Sequence, residues 1–172
     1  MTEKNGHAES TGPTIDSLGQ GYQLVQSQPF AQPVDELFDY FRDPENLEEI
    51  TPDRLKFRIL DADPLPVREG TVIEYRLRLR GIPLSWTTEI TAFEPNEYFQ
   101  DTMIDGPYRK WEHIHTFERV NGRTVMGDQV HYELPYGWLG ELVHELLIKR
   151  DLKHIFQYRA RTLRDRFGPA YR

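Results

Sequence analysis

The chain's densest concentration of reactive side chains is the run Trp111-Glu112-His113-Ile114-His115-Thr116-Phe117. Residues two apart in a strand share a face, so His113 and His115 project together with Trp111 and Phe117, while Lys110, Glu112, Thr116 and Glu118 point the other way. Alternation in the neighbouring runs adds two carboxylates: Asp101 between Phe99 and Met103, and Asp128 between Met126 and Val130. A histidine beside an aspartate in an apolar cleft can act as general acid or base on a carbon acid, as cyclisation and dehydration require. His113, His115, Asp101 and Asp128 are the candidates for that chemistry. Imidazole and carboxylate also suit zinc or iron. With no third histidine in reach by pattern, and with core histidines so often satisfied by a carboxylate, the expectation is ligand-orienting or structural histidines, with no metal and no cofactor.

The same alternation supplies a wall around these groups. Ile73, Tyr75, Leu77 and Leu79 share one face of residues 71–80, opposite Glu74, Arg76, Arg78 and Arg80, and Trp86, Thr88 and Ile90 share one face of residues 84–93. The expected ligand-binding set is Tyr75, Trp86, Phe99, Trp111, His113, His115, Phe117, Asp128 and Tyr132, mostly aromatic with a few polar groups. Inward carboxylates need partners, and His113, His115, Tyr132, Arg109 and Arg159 are available. The arginine row and the Glu48-Glu49 pair are expected to be solvated surface. No phosphate-cradling glycine loop follows a strand, and no serine sits on a nucleophile elbow, which favours binding over catalysis.

These faces must be carried by a sheet. Residues 22–28 read as a first strand ending at Pro29. From Pro33 the period becomes helical through Val34, Leu37, Phe38 and Phe41, and Asp43-Pro44 restarts a second short helix that Thr51-Pro52 ends. Six alternating runs follow (residues 55–60, 71–80, 84–93, 97–104, 108–120 and 123–134), joined by connections short enough for antiparallel hairpins. Asn121-Gly122 is the pair a type I′ turn prefers. After Pro135-Tyr136-Gly137 a helical stripe of Leu139, Leu142, Val143, Leu146, Leu147, Ile155, Phe156, Leu163 and Phe167 runs to Gly168-Pro169. The expected fold is α+β: a curved antiparallel sheet of about seven strands, two short helices after the first, and a long C-terminal helix laid across the sheet, with a cavity beneath it.

Composition bounds the function. The 172 residues suit one domain, and 21 Lys plus Arg against 28 Asp plus Glu give a net charge of -7, which disfavours nucleic acid as a partner. The absence of cysteine removes thiolate chemistry and disulfides. No apolar run is long enough for an integral membrane segment or a secretory signal, so a cytoplasmic protein is expected. Residues 1–20 hold hardly an apolar side chain and read as a flexible tail, 21–168 as the single domain, and 169–172 as a C-terminal tail. The expected partner is a small hydrophobic ligand; nothing in the sequence supports a protein partner.

Several strings carry a resemblance: Phe41-Arg42-Asp43-Pro44-Glu45-Asn46-Leu47, Thr51-Pro52, Trp86 through Ile90, Glu94-Pro95, Phe99-Gln100-Asp101, Gly106-Pro107-Tyr108, Trp111 through Phe117, Asp128, Tyr132 and Leu134-Pro135. In this order, from about Tyr22 to Phe167, the chain resembles the SRPBCC superfamily, relatives of START lipid-transfer and polyketide cyclase domains. The resemblance implies a helix-grip fold that binds lipid, hormone or polyketide-like molecules, with catalysis in only some members. It supplies no catalytic motif to carry over.

Overall fold

The computed structural model describes residues 10–168. Eight strands form one antiparallel sheet: β1 (Thr11–Ser17), β2 (Tyr22–Phe30), β3 (Arg58–Asp63), β4 (Val72–Leu79), β5 (Ile82–Glu94), β6 (Tyr98–Asp105), β7 (Lys110–Val120) and β8 (Arg123–Glu133). Their order across the sheet is β1-β2-β8-β7-β6-β5-β4-β3, so the late strand β8 pairs with the early strand β2 and the rest is a meander. Helices α1 (Val34–Phe41) and α2 (Glu45–Glu49) fill the long β2–β3 connection. At the β7–β8 turn both Asn121 (φ 53) and Gly122 (φ 76) take the positive φ that a type I′ hairpin demands.

Two expectations about the first strands are corrected. Residues 11–17, expected as tail, pair with β2 through backbone hydrogen bonds and bury little beyond Pro13 and Ile15. Composition cannot reveal a strand held by its backbone, and this adds the eighth strand. Of the rest of the expected tails, residues 1–9 and 169–172 lie outside the described residues. In addition, β2 runs through Pro29 to Phe30. Because β1 reaches only as far as Thr11 opposite Ser27, β2 is an edge at Pro29, where a missing N–H costs no ladder bond.

The C-terminal helix comprises α3 (Trp138–Val143), a π-helical turn (His144–Ile148) and α4 (Lys149–Phe167). Within the π turn the Lys149 N–H donates to the His144 carbonyl, five residues back. The expected apolar stripe fails in this first half: Leu139, Leu142, Val143, Leu146 and Leu147 are exposed. The side facing the sheet is Gly140, His144, Leu152, Phe156, Arg159 and Leu163, with Ile148 half-buried. Spacing of four would drift around an α-helix, and the wider π turn offsets part of that drift. Gly140 is required at the start, because a Cβ there would run into the Pro135 carbonyl oxygen.

Burial falls into two clusters. Phe30, Leu37, Phe38, Phe99, Phe117 and Leu163 pack under α1. Leu24, Trp111, Val130, Tyr132, Leu152 and Phe156 pack under the middle of the C-terminal helix. Between sheet and helix the two leave a cavity of about 250 Å³.

Candidate functional site

Strand pleating aims the cavity wall. From β4 come Ile73, Tyr75, Leu77 and Leu79; from β5, Leu84, Trp86, Thr88 and Ile90; from β6, Phe99 and Asp101; from β7, Trp111, His113 and His115. The helices close the other side with Ile148, Leu152, Phe156 and Arg159, and Phe41 and Leu47 close one end. Tyr75 stacks on Trp86 at 5.8 Å, and Trp86 meets Trp111 edge to face at 5.2 Å, giving an aromatic corner.

Of the residues expected to bind ligand, Tyr75, Trp86, Phe99, Trp111, His113 and His115 lie on this wall, while Phe117, Asp128 and Tyr132 do not. Phe117 is core, packed against Phe38 at 5.2 Å. Tyr132 is fully buried and bonds His144 at 2.8 Å. Asp128 is buried beside the two histidines, its charge met by Arg159 Nη1 at 3.4 Å. Arg109 turns instead to Glu133 on the surface.

Register brings the four polar residues together. Asp101 stands opposite His113 in the β6–β7 ladder, and His115 opposite Asp128 in β7–β8. His113 Nε2 lies 2.8 Å from Asp128 Oδ1, and His115 Nδ1 lies 3.1 Å from the same oxygen without hydrogen-bond alignment. On the other side His113 Nδ1 and His115 Nε2 approach Asp101 Oδ2 at 3.5 and 3.4 Å. Thr88 Oγ1 donates to Asp101 Oδ1 at 3.3 Å, which turns Oδ2 toward the histidines. The ring centroids are 3.8 Å apart.

Burial and charge pull these groups apart in basicity. Burial alone would raise the Asp128 carboxyl, but the His113 hydrogen bond, the adjoining His115 ring and the Arg159 charge hold it far below the usual carboxylate range. Asp101 is likewise lowered on balance, burial being outweighed by His115, His113 and Arg159. Burial and the neighbouring His115 lower His113, whereas for His115 the two carboxylates overcome burial and raise it. The arrangement therefore keeps two carboxylates ionised, one imidazole neutral and the other readily protonated.

The pattern missed four polar residues. His144 is fully buried, accepting from the Tyr132 hydroxyl at Nε2 and stacking on Tyr22 at 3.4 Å. Asp151 is buried on the cavity side of α4 and takes Arg80 through Nε at 2.9 Å and Nη2 at 3.3 Å. Arg80, assigned by alternation to the outer face, sits in a turn with φ 53 that redirects it. Tyr108 also reaches the wall, from the β6–β7 connection.

Residues 30–156 match the family described as polyketide cyclase / dehydrase and lipid transport. The chain belongs to that family. The polyketide cyclase / dehydrase and lipid transport assignment agrees with the architecture of solved structures. Ms6760 from Mycobacterium smegmatis is 20% identical, with a TM-score of 0.64 over 92% of this chain and 99% of its own. TTHA0849 from Thermus thermophilus is 16% identical, with a TM-score of 0.66 over 84% and 96%. The ginseng major latex-like protein 151 from Panax ginseng is 14% identical, with a TM-score of 0.53 over 78% and 96%. At such identities the likeness establishes the helix-grip fold alone. No curated relative matches the sequence. Among the described residues no helix is long and apolar enough to cross a membrane.

Proposed function

We propose that this polyketide cyclase / dehydrase and lipid transport family member binds a small apolar or aromatic molecule, lipid-like or polyketide-like, in the cavity between sheet and C-terminal helix. The observation that carries the reading is the cavity itself, about 250 Å³ walled by Tyr75, Trp86, Trp111, Leu77 and Phe156, with its polar groups gathered at the histidine pair. Apolar surroundings supply affinity through burial, and a few fixed polar groups set orientation. Native mass spectrometry of the purified chain tests it: a co-purifying small molecule, or saturable 1:1 uptake of a fluorescent aromatic probe such as anilinonaphthalene sulfonate, is expected. An empty protein that takes up no apolar probe would sink the reading.

A second reading rests on a different observation, the 2.8 Å bond between His113 and Asp128 on the cavity side of the sheet. With Nε2–H donated to Asp128, neutral His113 carries its lone pair on Nδ1 and is a general base for a carbon acid, as a cyclase or dehydrase needs. Exchange of the acidic carbon-bound hydrogens of an aromatic 1,3-diketone for deuterium, followed by NMR, tests it. Exchange above the buffer rate that His113→Gln abolishes is expected; exchange at the buffer rate excludes the base.

A further inference from the structure

We propose that His113, His115 and Asp101 form a binding site for a divalent transition-metal ion, with zinc or iron(II) the fit to two imidazoles and one carboxylate. The sequence pattern argues against a metal for want of a third histidine; the β6–β7 register puts Asp101 in that place.

The case rests on where the lone pairs must lie. His113 donates through Nε2 to Asp128 Oδ1, so its neutral ring carries the lone pair on Nδ1. His115 turns Nδ1 toward the same Asp128 oxygen, which leaves Nε2 as its inner atom. Both inner nitrogens face Asp101 Oδ2, at 3.5 and 3.4 Å. Those separations are long for hydrogen bonds, whose mode is about 2.9–3.0 Å. They suit neighbouring ligands of one ion: donors about 2.1 Å from a metal and roughly 90–110° apart lie about 3.0–3.4 Å from each other. One donor atom from each of the three residues lies within 4.8 Å of the others, so small side-chain rotations close the set.

Two ring nitrogens face one carboxylate oxygen, a pair of contacts that calls for positive charge between them. A divalent ion answers both. The surroundings are those that hold metal ligands in place: Asp128 fixes the outer nitrogen of His113, and Thr88 fixes the outer oxygen of Asp101. Asp101, Asp128 and Arg159 together carry one net negative charge, so a divalent ion leaves a single positive charge facing the cavity. Three protein ligands leave at least one coordination position for a further donor. The matching ligand is an apolar or aromatic body bearing one anionic oxygen donor, a carboxylate or enolate. The metal site rests on the side-chain cluster and stands whether or not the cavity retains an organic molecule.

The test uses the full chain after chelator treatment, titrated with cobalt(II) and followed by visible absorption, then with zinc in competition with a chromophoric chelator. Saturable 1:1 binding is expected. Asp101→Asn should weaken it more than 100-fold, Asp128→Asn by about 10–100-fold, and His131→Gln, a histidine away from the cavity, not at all. Circular dichroism of Asp101→Asn, at a site less buried than either histidine, separates loss of metal from loss of fold. Absence of saturable cobalt binding to the wild-type chain, or equal affinity in folded Asp101→Asn, overturns the site.

Discussion

Across the β7–β8 ladder the residue directly opposite Asp128 is His115, yet the aligned 2.8 Å hydrogen bond to Asp128 comes from His113, one step along the diagonal. The carboxylate thus serves both imidazoles from one oxygen while Arg159 approaches from the helix. A single buried charge ties β7, β8 and α4 together beside the cavity.

Removing that charge should be severe. Asp128→Ala leaves the Arg159 guanidinium buried without its partner, and breaking a buried pair from one side costs about 3–5 kcal/mol. The double replacement Asp128→Leu with Arg159→Met removes both charges and keeps the volume filled, so it should recover most of the loss. Urea unfolding midpoints at pH 7 measure both. A single-variant loss below about 1 kcal/mol, the scale of exposed pairs, would show that the ion pair is solvated.

His144 sets an acid limit on stability. It is fully buried, accepting from Tyr132 and stacking on Tyr22, and burial outweighs the Glu145 carboxylate to lower its pKa from the ordinary 6.5, with Lys149 adding to the lowering. The unfolded chain therefore binds a proton more readily than the folded one, and stability rises with pH across this window. The His144 contribution is present in full above about pH 6.5 and is lost as pH falls through and below that value. Thermal unfolding between pH 8 and pH 5 should show a smaller acid loss in His144→Gln, whose amide can still accept from Tyr132. Parallel curves for the two proteins would assign the acid sensitivity elsewhere.

Much of this was legible before any coordinates, for a reason visible in β7. Trp111, His113, His115 and Phe117 all face inward because strand pleating has a period of two and the opposite face is mostly polar. Register was not legible. The β5–β6 pairing slips between Thr87 and Thr88 and again between Ile90 and Ala92, and these bulges decide which β5 residues stand beside Asp101. Composition missed β1, in which only Pro13 and Ile15 are buried. The helix stripe failed because a π turn moves Leu142 and Leu146 outward and His144 inward, and apolar spacing assumes an unbroken 3.6-residue period.

Gly140 separates local propensity from tertiary contact. On propensity alone, replacing an interior helical glycine by alanine stabilises by about 1 kcal/mol. Here the added methyl would meet the Pro135 carbonyl oxygen and also crowd Leu134 Cβ at 3.2 Å, and backbone cannot swing aside as a flexible side chain does. Gly140→Ala should therefore destabilise, by about 1–3 kcal/mol as overpacking does. The sign of the change in Tm decides between the two.

Filling the cavity tests the binding reading without touching the polar cluster. Leu77 lies on the cavity wall from β4, half-buried, and takes no part in the His113, His115, Asp101 and Asp128 group. Leu77→Trp places an indole into space that the wild-type protein leaves open, so the fold should lose less than about 1.5 kcal/mol while the room for a ligand shrinks. Probe affinity measured by calorimetry should fall at least about tenfold, equivalent to about 1.4 kcal/mol. Cobalt(II) affinity at the histidine cluster should stay unchanged, because no ligand or supporting residue has moved. Unchanged probe affinity in a folded Leu77→Trp protein would mean that apolar molecules bind somewhere other than this cavity.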